Sequence, residues 1–155
     1  MNDLFTPVLN GMVDAVHDIN PDAEIYINKP INITPSVEGF FYVNFPISVV
    51  QESYLGDFHR LRLSFDVAYF PPDLHGDNAV LLSQACYATS ESLRRIYPAE
   101  YVGGKYTKSD KSKSCFGLHS EIVDGVAHVL GAYDLFVDTK KAKEIVHSLT
   151  ISLKK

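Results

Sequence analysis

The chain has 155 residues, a formal net charge of −5 and 46% hydrophobic residues, which is the composition of one ordinary globular domain. Its two cysteines, Cys86 and Cys115, are too few for a disulfide scaffold. The sequence has no apolar run of the roughly 20 residues that a membrane-spanning helix needs, and its N-terminus lacks the pattern of a signal peptide. The acidic balance disfavours a general nucleic-acid binder, since such proteins are usually basic.

Charge is divided unevenly along the chain. Residues 1–59 contain one lysine and eight acidic residues, whereas residues 60–155 contain thirteen basic and eleven acidic residues. The net charges of the two parts are therefore −7 and +2. A subunit that is acidic in one part and mildly basic in another suits head-to-tail association of identical copies. An ordinary solvated surface also accounts for such an imbalance.

Hydrophobic periodicity predicts a helix first, then three strands, a second helix and a β-hairpin. In the clearest strand, from Arg60 to Phe70, apolar residues alternate with polar or small ones. Pro46 interrupts the preceding strand, which implies an edge position or a bulge because proline donates no hydrogen bond to a sheet. The predicted ranges are 3–18 and 77–97 for the helices, 24–28, 40–50 and 60–70 for the strands, and 116–137 for the hairpin.

The predicted hairpin has a strong turn signal and a polar face. Asp124 and Gly125 lie between two apolar runs, as in a two-residue hairpin turn. This turn places Glu121 opposite His128 and puts His119 on the same face. Two histidines and a carboxylate suit a zinc ion. A cross-strand charge pair on a solvated face is the favoured interpretation, since no compact metal-binding motif is present.

Two segments near the C-terminus are rich in lysine. Residues 103–114 combine lysine with glycine and serine, a composition that predicts a mobile loop. Residues 138–155 form a predicted C-terminal arm, which begins with basic residues and ends with alternating apolar ones. Lysine-rich segments suit contacts with an acidic protein surface or a phosphate backbone, but a solvated loop is the favoured interpretation for residues 103–114.

The order of the elements predicts an α+β fold in a single domain, residues 1–155: a mainly antiparallel sheet with two helices packed on one face. No catalytic constellation is evident. The sequence has no Gly-x-Ser-x-Gly elbow, and Gly103-Gly104-Lys105 lacks the spacing of a P-loop. Cys86 lies on the apolar stripe of the second helix, where cysteine usually acts as a small hydrophobic residue. We therefore expect an interaction or assembly module, not an enzyme, with no cofactor and no metal.

Several strand and turn blocks together resemble a known family. The run 60–71, which follows Tyr54-Leu55-Gly56, is similar to the signature of tail terminator proteins from long-tailed bacteriophages of Gram-positive hosts. The aromatic segment 39–43 and the hairpin segment 121–129 stand where that family has matching strands. The order and spacing of the blocks also agree, and the resemblance covers about residues 39–137.

The resemblance implies a structural virion protein. Such a subunit assembles as a ring, commonly a homohexamer, on the head-proximal end of the tail tube, where it stops tube polymerisation and provides the head–tail joining interface. The implied partners are copies of itself, the tail tube protein and the head-completion or connector protein, with genome DNA passing through the ring. No membrane and no sequence-specific nucleic acid is expected. The implied location is the virion tail, after synthesis in the host cytoplasm.

On this resemblance, we expect the basic side chains of the loop and the arm to contact neighbouring subunits or the tube. Other functions stay open: another head–tail connector or tube-like ring protein, a small non-viral binding module, or a metal hydrolase that uses the hairpin histidines. The candidate interface residues are Lys105, Lys108, Lys111, Lys113, Lys140, Lys141 and Lys143.

Overall fold

The structure is a computed structural model that describes residues 3–28, 39–53, 55–73, 76–138 and 140. This part of the chain forms two helices and nine strands. Their bounds are α1 Thr6–Ile19, β1 Glu24–Ile27, β2 Phe40–Ser53, β3 Phe58–Phe70, α2 Ala79–Leu93, β4 Arg95–Ile96, β5 Ala99–Val102, β6 Lys105–Lys108, β7 Lys113–Ser114, β8 Phe116–Val123 and β9 Val126–Asp138.

The main sheet has five strands in the order β1-β2-β3-β9-β8. Strands β2, β3, β9 and β8 pair antiparallel with one another in sequence across the sheet, whereas β1 pairs with β2 in parallel. Two small antiparallel sheets, β4–β7 and β5–β6, accompany it. The predicted α+β class with a mainly antiparallel sheet is confirmed, and the parallel pairing of β1 is a feature that the sequence pattern does not indicate.

One face of the main sheet forms the hydrophobic core together with both helices. Leu63, Phe65 and Val67 of β3 are buried because alternate residues of a strand point to the same face. Buried residues of α1 and α2 belong to the same cluster, so both helices cover this face, as predicted. The helix residues buried there are Val8, Met12 and Val16 from α1 and Leu82, Cys86 and Leu93 from α2.

Both helices are shorter than the hydrophobic pattern predicts. α1 begins at Thr6, because the carboxylate of Asp3 accepts hydrogen bonds from the N–H groups of Phe5 and Thr6 at 3.0 and 2.9 Å and so closes the preceding turn. α2 ends at Leu93 instead of residue 97, because the chain continues into strand β4, which pairs with β7. Neither of these two helices is long and apolar enough to cross a membrane.

The lysine-rich segment 103–114 is not a continuous loop, which corrects the prediction from its composition. Gly103 and Gly104, with φ angles of 58° and 80°, form the turn of a hairpin between β5 and β6. Tyr101 and Tyr106 pair across this hairpin, with ring centroids 5.1 Å apart. The glycine pair is the sequence signal for the turn. Lysine is less frequent in strands, so a prediction from composition does not detect β6 and β7.

The proline within β2 lies in a bulge. The register between β2 and β3 shifts between Asn44 and Ser48, around Pro46. Because β1 pairs with β2 only at Phe40–Val43, Pro46 also lies at an edge position of the described sheet, so both predicted features of this proline are present. The Asn28 side chain satisfies the backbone beside the bulge: its Nδ2 donates to the carbonyl oxygen of Phe45 at 2.6 Å, and its Oδ1 accepts from the N–H group of Phe45 at 2.8 Å.

Tyr133 lies at the centre of the core and joins the sheet to α2. Its ring is fully buried and stacks on Phe65, with centroids 5.2 Å apart. Its hydroxyl donates to the carbonyl oxygen of Leu93 at 2.6 Å, and burial raises the pKa of Tyr133.

Gly131 lies two residues before Tyr133 on β9. A Cβ atom at Gly131 would lie 2.5 Å from Sγ of Cys115. The absence of a side chain there lets the cysteine pack against the sheet.

We expect Tyr133→Phe to lower the free energy of unfolding by about 1–2 kcal/mol, because the buried carbonyl of Leu93 loses this hydrogen-bond donor. Urea denaturation followed by circular dichroism measures the change. Tyr87→Phe is the matched control, since Tyr87 is 72% exposed and the loss of its hydroxyl should change the free energy by less than about 0.5 kcal/mol. Equal effects of the two substitutions would contradict the role assigned to the Tyr133 hydroxyl.

Candidate functional site

The lysines predicted as interface residues fall in different surroundings. Lys105, Lys108, Lys111 and Lys140 are exposed, whereas Lys113 is half-buried. The remaining two, Lys141 and Lys143, lie outside the described residues, as does most of the predicted C-terminal arm. The three lysines of residues 105–111 therefore lie on the surface, whereas the side chain of Lys113 is partly enclosed by the protein.

The hairpin formed by β5 and β6, here called the β5–β6 hairpin, is anchored on α1 by polar contacts. Nδ2 of Asn10 donates to the carbonyl oxygen of Ala99 at 2.8 Å. The hydroxyl of Tyr106 donates to Oδ2 of Asp14 at 2.7 Å, and Nζ of Lys108 lies 3.9 Å from the same oxygen. Only Ala99 among the eight strand residues of this hairpin is buried. One carboxylate on α1 therefore fixes the placement of an otherwise exposed element.

A close approach at Gly11 brings the chain before β5 against α1. A Cβ atom at Gly11 would lie 2.6 Å from the carbonyl oxygen of Tyr97, so the contact requires glycine. A cleft of about 240 Å³ opens beside it, with Asp18 and Arg95 among its lining residues. Since the cleft carries charges of both signs, it has no evident preference for an anion or a cation.

The sheet face that does not pack against α1 and α2, here called the outer face, holds an ion pair. Nε and Nη2 of Arg62 donate to the two carboxylate oxygens of Asp134 at 2.8 and 2.9 Å, and Asp134 is buried. The guanidinium of Arg62 also lies 4.7 Å from the centre of the Phe116 ring. Arg62 is not among the residues predicted from the sequence to have a functional role. Two sequence features could have indicated the ion pair: Arg62 alternates with the apolar Leu63, and Asp134 on the paired strand has the opposite charge.

Lys113 completes this arrangement from the side of β7. Its Nζ donates to the backbone carbonyl oxygen of Asp134 at 2.9 Å. Burial lowers the pKa of Lys113, although the nearby carboxylate of Asp134 opposes the effect. This lysine therefore connects β7 to β9 within the subunit, a role distinct from the intersubunit contact predicted for it.

The predicted hairpin turn is confirmed, and its histidines bind separate partners. Glu121 pairs with His128 across β8 and β9, as the register predicts. Nδ1 of His128 lies 3.1 Å from both carboxylate oxygens of Asp66 on the neighbouring strand β3. Nδ1 of His119 instead lies 2.7 Å from the carbonyl oxygen of Gly117. Within the described ranges, no group of three or more His, Cys, Asp or Glu side chains is placed to hold a metal ion.

The two thiols have the electrostatics of structural cysteines. Burial raises the pKa of Cys86 and also that of Cys115. A nucleophilic cysteine needs the opposite, because the thiolate is the reactive form and a lowered pKa increases its population. Their environments therefore favour packing over nucleophilic chemistry.

These features define a small α+β subunit whose polar side chains hold its strands and hairpins in place. A family model described as phage tail terminator protein matches residues 8–145. The chain belongs to the phage tail terminator family and is a structural component of the phage tail. The family inferred from the strand and turn blocks is thus confirmed.

Comparisons with other proteins add little to this assignment. No curated protein matches the chain. One solved structure is similar over 84% of this chain and 92% of its own, with 12% sequence identity and a TM-score of 0.45. A similarity at this level carries no argument about fold or function.

The contact between the β5–β6 hairpin and α1 predicts a specific titration. Burial and the hydrogen bond to Asp14 raise the pKa of Tyr106 to about 12. This pKa is raised above that of a free tyrosine, which is about 10. The neutral Tyr106 hydroxyl therefore contributes fully to the stability of the folded state below pH 10, and this contribution is lost as the pH rises through 12. Asp14→Ala should therefore lower the pKa of Tyr106, since it removes both the acceptor and the negative charge.

NMR of labelled tyrosine rings measures this pKa directly. Asp18→Ala is the matched control, because Asp18 lies one turn further along α1 and makes no described contact with Tyr106. If Tyr106 titrates at the same pH in both variants, the assigned contact with Asp14 is wrong.

Proposed function

We propose that this protein assembles as a homohexameric ring on the head-proximal end of the tail tube, where it stops tube polymerisation and provides the head–tail joining interface. The match to the phage tail terminator family over residues 8–145 carries the proposal. The proposed particle is a long-tailed phage or prophage of a Gram-positive bacterium. We propose that the protein is synthesised in the cytoplasm of this bacterial host. The proposed role is structural and involves no catalysis.

The distribution of exposed apolar side chains supports a subunit with several protein partners. Sixteen large hydrophobic side chains are exposed in the described residues. They fall into four groups: the far end of the β2–β3 hairpin with the end of β9, the outward side of α2, the β5–β6 hairpin with Tyr97, and strand β8. Large exposed apolar patches mark interaction sites. A ring subunit that binds two neighbours, a tube and a connector needs this number of surfaces.

Strand β8 offers a further means of association. In the described part of the chain it forms one edge of the five-stranded sheet, and seven of its eight residues are exposed there. An edge strand presents backbone groups to which a strand of another chain can pair. We include copies of this chain, the tail tube protein and the head-completion or connector protein among the proposed partners, with DNA passing through the lumen without sequence-specific contacts.

Assembly of the purified protein tests the proposal. Light scattering should detect a discrete species near 104 kDa, six times the 17.3 kDa of one subunit, at two protein concentrations and two salt levels. Addition of the protein to polymerising tube protein should shorten the tubes seen by electron microscopy. An open ladder of polymers would indicate a tube protein, and a monomer that leaves tube length unchanged would contradict the proposal.

The exposed lysines of residues 105–111 provide a second test. We expect substitution of Lys105, Lys108 and Lys111 by serine to weaken ring assembly or tube capping at least tenfold, because these side chains contact a neighbouring subunit or the tube. Lys113 stays unchanged, since it bonds the carbonyl of Asp134 within the subunit.

Arg94→Ser is the control for this lysine variant, because Arg94 is an exposed cation outside the hairpin that pairs with Glu91. Circular dichroism should show that both variants are folded. Wild-type assembly by the triple lysine variant would remove the lysines from the proposed interface.

A further inference from the structure

We propose that the last residues of this chain cover one end of the outer face of their own sheet. The occupant is the C-terminal segment, residues 141–155, which lies outside the described residues. The surface, here called the distal patch, consists of four exposed side chains on the outer face: Val50, Phe58, Phe116 and Phe136. The inference concerns a single subunit and goes beyond the proposed ring.

The strand register places these four side chains on one face. Residues that pair directly across a sheet point to the same face, and so do alternate residues of one strand. Arg62, which marks the outer face, pairs with Val50 and lies 4.7 Å from the centre of the Phe116 ring. Phe58 lies four residues before Arg62 on β3, and Phe136 lies two residues beyond the partner of Arg62 on β9. The distal patch is therefore one surface.

The distal patch needs an apolar cover. Each of its four side chains is between 46% and 54% exposed. The solvated face of an antiparallel sheet usually carries polar residues, whereas three phenylalanines lie on this one. The arginines among them are paired within the subunit, Arg60 with Glu52 and Arg62 with Asp134. A covering segment therefore requires apolar side chains and no charge of its own.

A cleft on the same face continues the distal patch toward the middle of the sheet. Its volume is about 350 Å³, and Ile47, Phe116, Leu130 and Ala132 are among its lining residues. Concave sites with apolar linings accept apolar groups. The cleft therefore gives the side chains of a covering segment a place to enter.

The C-terminal segment has the composition that this surface requires. Its central part, residues 145–153, contains no Asp, Glu, Lys or Arg, and lysines flank it on both sides. Its apolar side chains can be buried while the lysine charges stay in water. So high an apolar fraction is not typical of a tail that stays solvated. Five of the nine central residues are large and aliphatic: Ile145, Val146, Leu149, Ile151 and Leu153.

The chain leaves the sheet beside the distal patch and is long enough to cover it. Asp138, the last residue of β9, pairs with Phe58. From Asp138 back to Ala132 at the cleft, β9 spans about 20 Å at roughly 3.3 Å per residue. The 15 residues 141–155 span about 22 Å as a helix or about 50 Å as an extended chain. In either conformation the C-terminal segment reaches from Phe58 to the cleft.

The short connection favours the segment of the same subunit over that of another copy. Only residues 139–144 separate β9 from the uncharged part of the segment. A flexible tether this short gives an effective concentration on the order of millimolar, so the segment meets its own distal patch first. The exposed apolar groups of α2 and of the β5–β6 hairpin lie on the helix side of the sheet, and the sheet separates them from the outer face.

Covering the distal patch changes the chemistry of this end of the subunit. The sheet becomes a middle layer between the two helices and the C-terminal segment. Lys141 and Lys143, two of the interface residues predicted from the sequence, then lie near the end of β9 and add basic charge there. Val49 pairs with Leu63 on the helix side, so this exposed side chain stays available to a protein partner.

Tryptophan fluorescence tests this proposal, because the chain contains no tryptophan of its own. Phe136→Trp places a single probe in the distal patch of the full-length chain. In a second chain, here called the serine chain, Leu149→Ser, Ile151→Ser and Leu153→Ser accompany the probe. We expect acrylamide to quench the probe at least threefold more strongly in the serine chain, because the altered segment no longer covers the patch. Equal quenching in the two chains would overturn the proposal.

Two matched controls accompany this measurement. Tyr87→Trp places the probe on the exposed side of α2, where the three serines should leave the quenching unchanged. His147→Ser with Thr150→Ser alters polar residues of the same segment, so the Phe136→Trp probe should stay protected. Circular dichroism should show that all variants are folded. If the serine chain does not fold, the natural segment decides: a Phe136→Trp probe quenched as strongly as Tyr87→Trp contradicts the cover.

Wild-type protein shows whose segment covers the patch, since it contributes no tryptophan signal. A tenfold excess of wild type should leave the strong quenching of the serine chain unchanged. Restored protection would assign the cover to the segment of a neighbouring copy and would overturn the proposal. Light scattering on the same samples reports ring formation separately, so a ring that fails to form counts against the proposed function and not against the cover.

Discussion

The pairing of β3 with β9 is the constraint on which the rest of the subunit depends. Twelve consecutive residue pairs, from Phe58 with Asp138 to Tyr69 with Ala127, fix the register of the two central strands. A slip of one residue would turn every side chain to the opposite face. On the core side this register places Tyr133 where its hydroxyl reaches the end of α2, and on the outer face it places Arg62 opposite Asp134.

The surface elements follow from those two contacts. The bond from Tyr133 to the carbonyl of Leu93 fixes the end of α2, from which β4 and the β5–β6 hairpin continue. The bond from Lys113 to the carbonyl of Asp134 fixes β7, through which the chain returns to the sheet. Asp14 then holds the β5–β6 hairpin on α1. A hairpin with little buried surface is thus positioned by three polar contacts that originate in the core and on α1.

Local patterns predict the elements whose signals lie within a few residues. The alternation in β3 and the Asp124-Gly125 turn specify a strand and a hairpin, because both depend on backbone periodicity and turn geometry. Hairpin β5–β6 also has a local turn signal, but its lysines conceal the strands. Contacts between distant segments are not predictable in this way: neither the parallel pairing of β1 nor the use of Lys113 inside the subunit has a sequence signal, since each depends on a partner that is remote along the chain.

A ring of the kind that we propose needs two different axial surfaces to end the growth of a tube. Among the exposed surfaces of the described residues, those of α2 and β8 are the candidates that we propose for the axial contacts. These differ in chemistry, since α2 presents nearly uncharged side chains from a helix and β8 presents the backbone of a sheet edge. Two rings would then have no reason to stack on one another, because an axial contact between identical rings requires that one axial surface fit the other. Growth would end at the proposed ring if one of its axial surfaces matched the tube and the other did not.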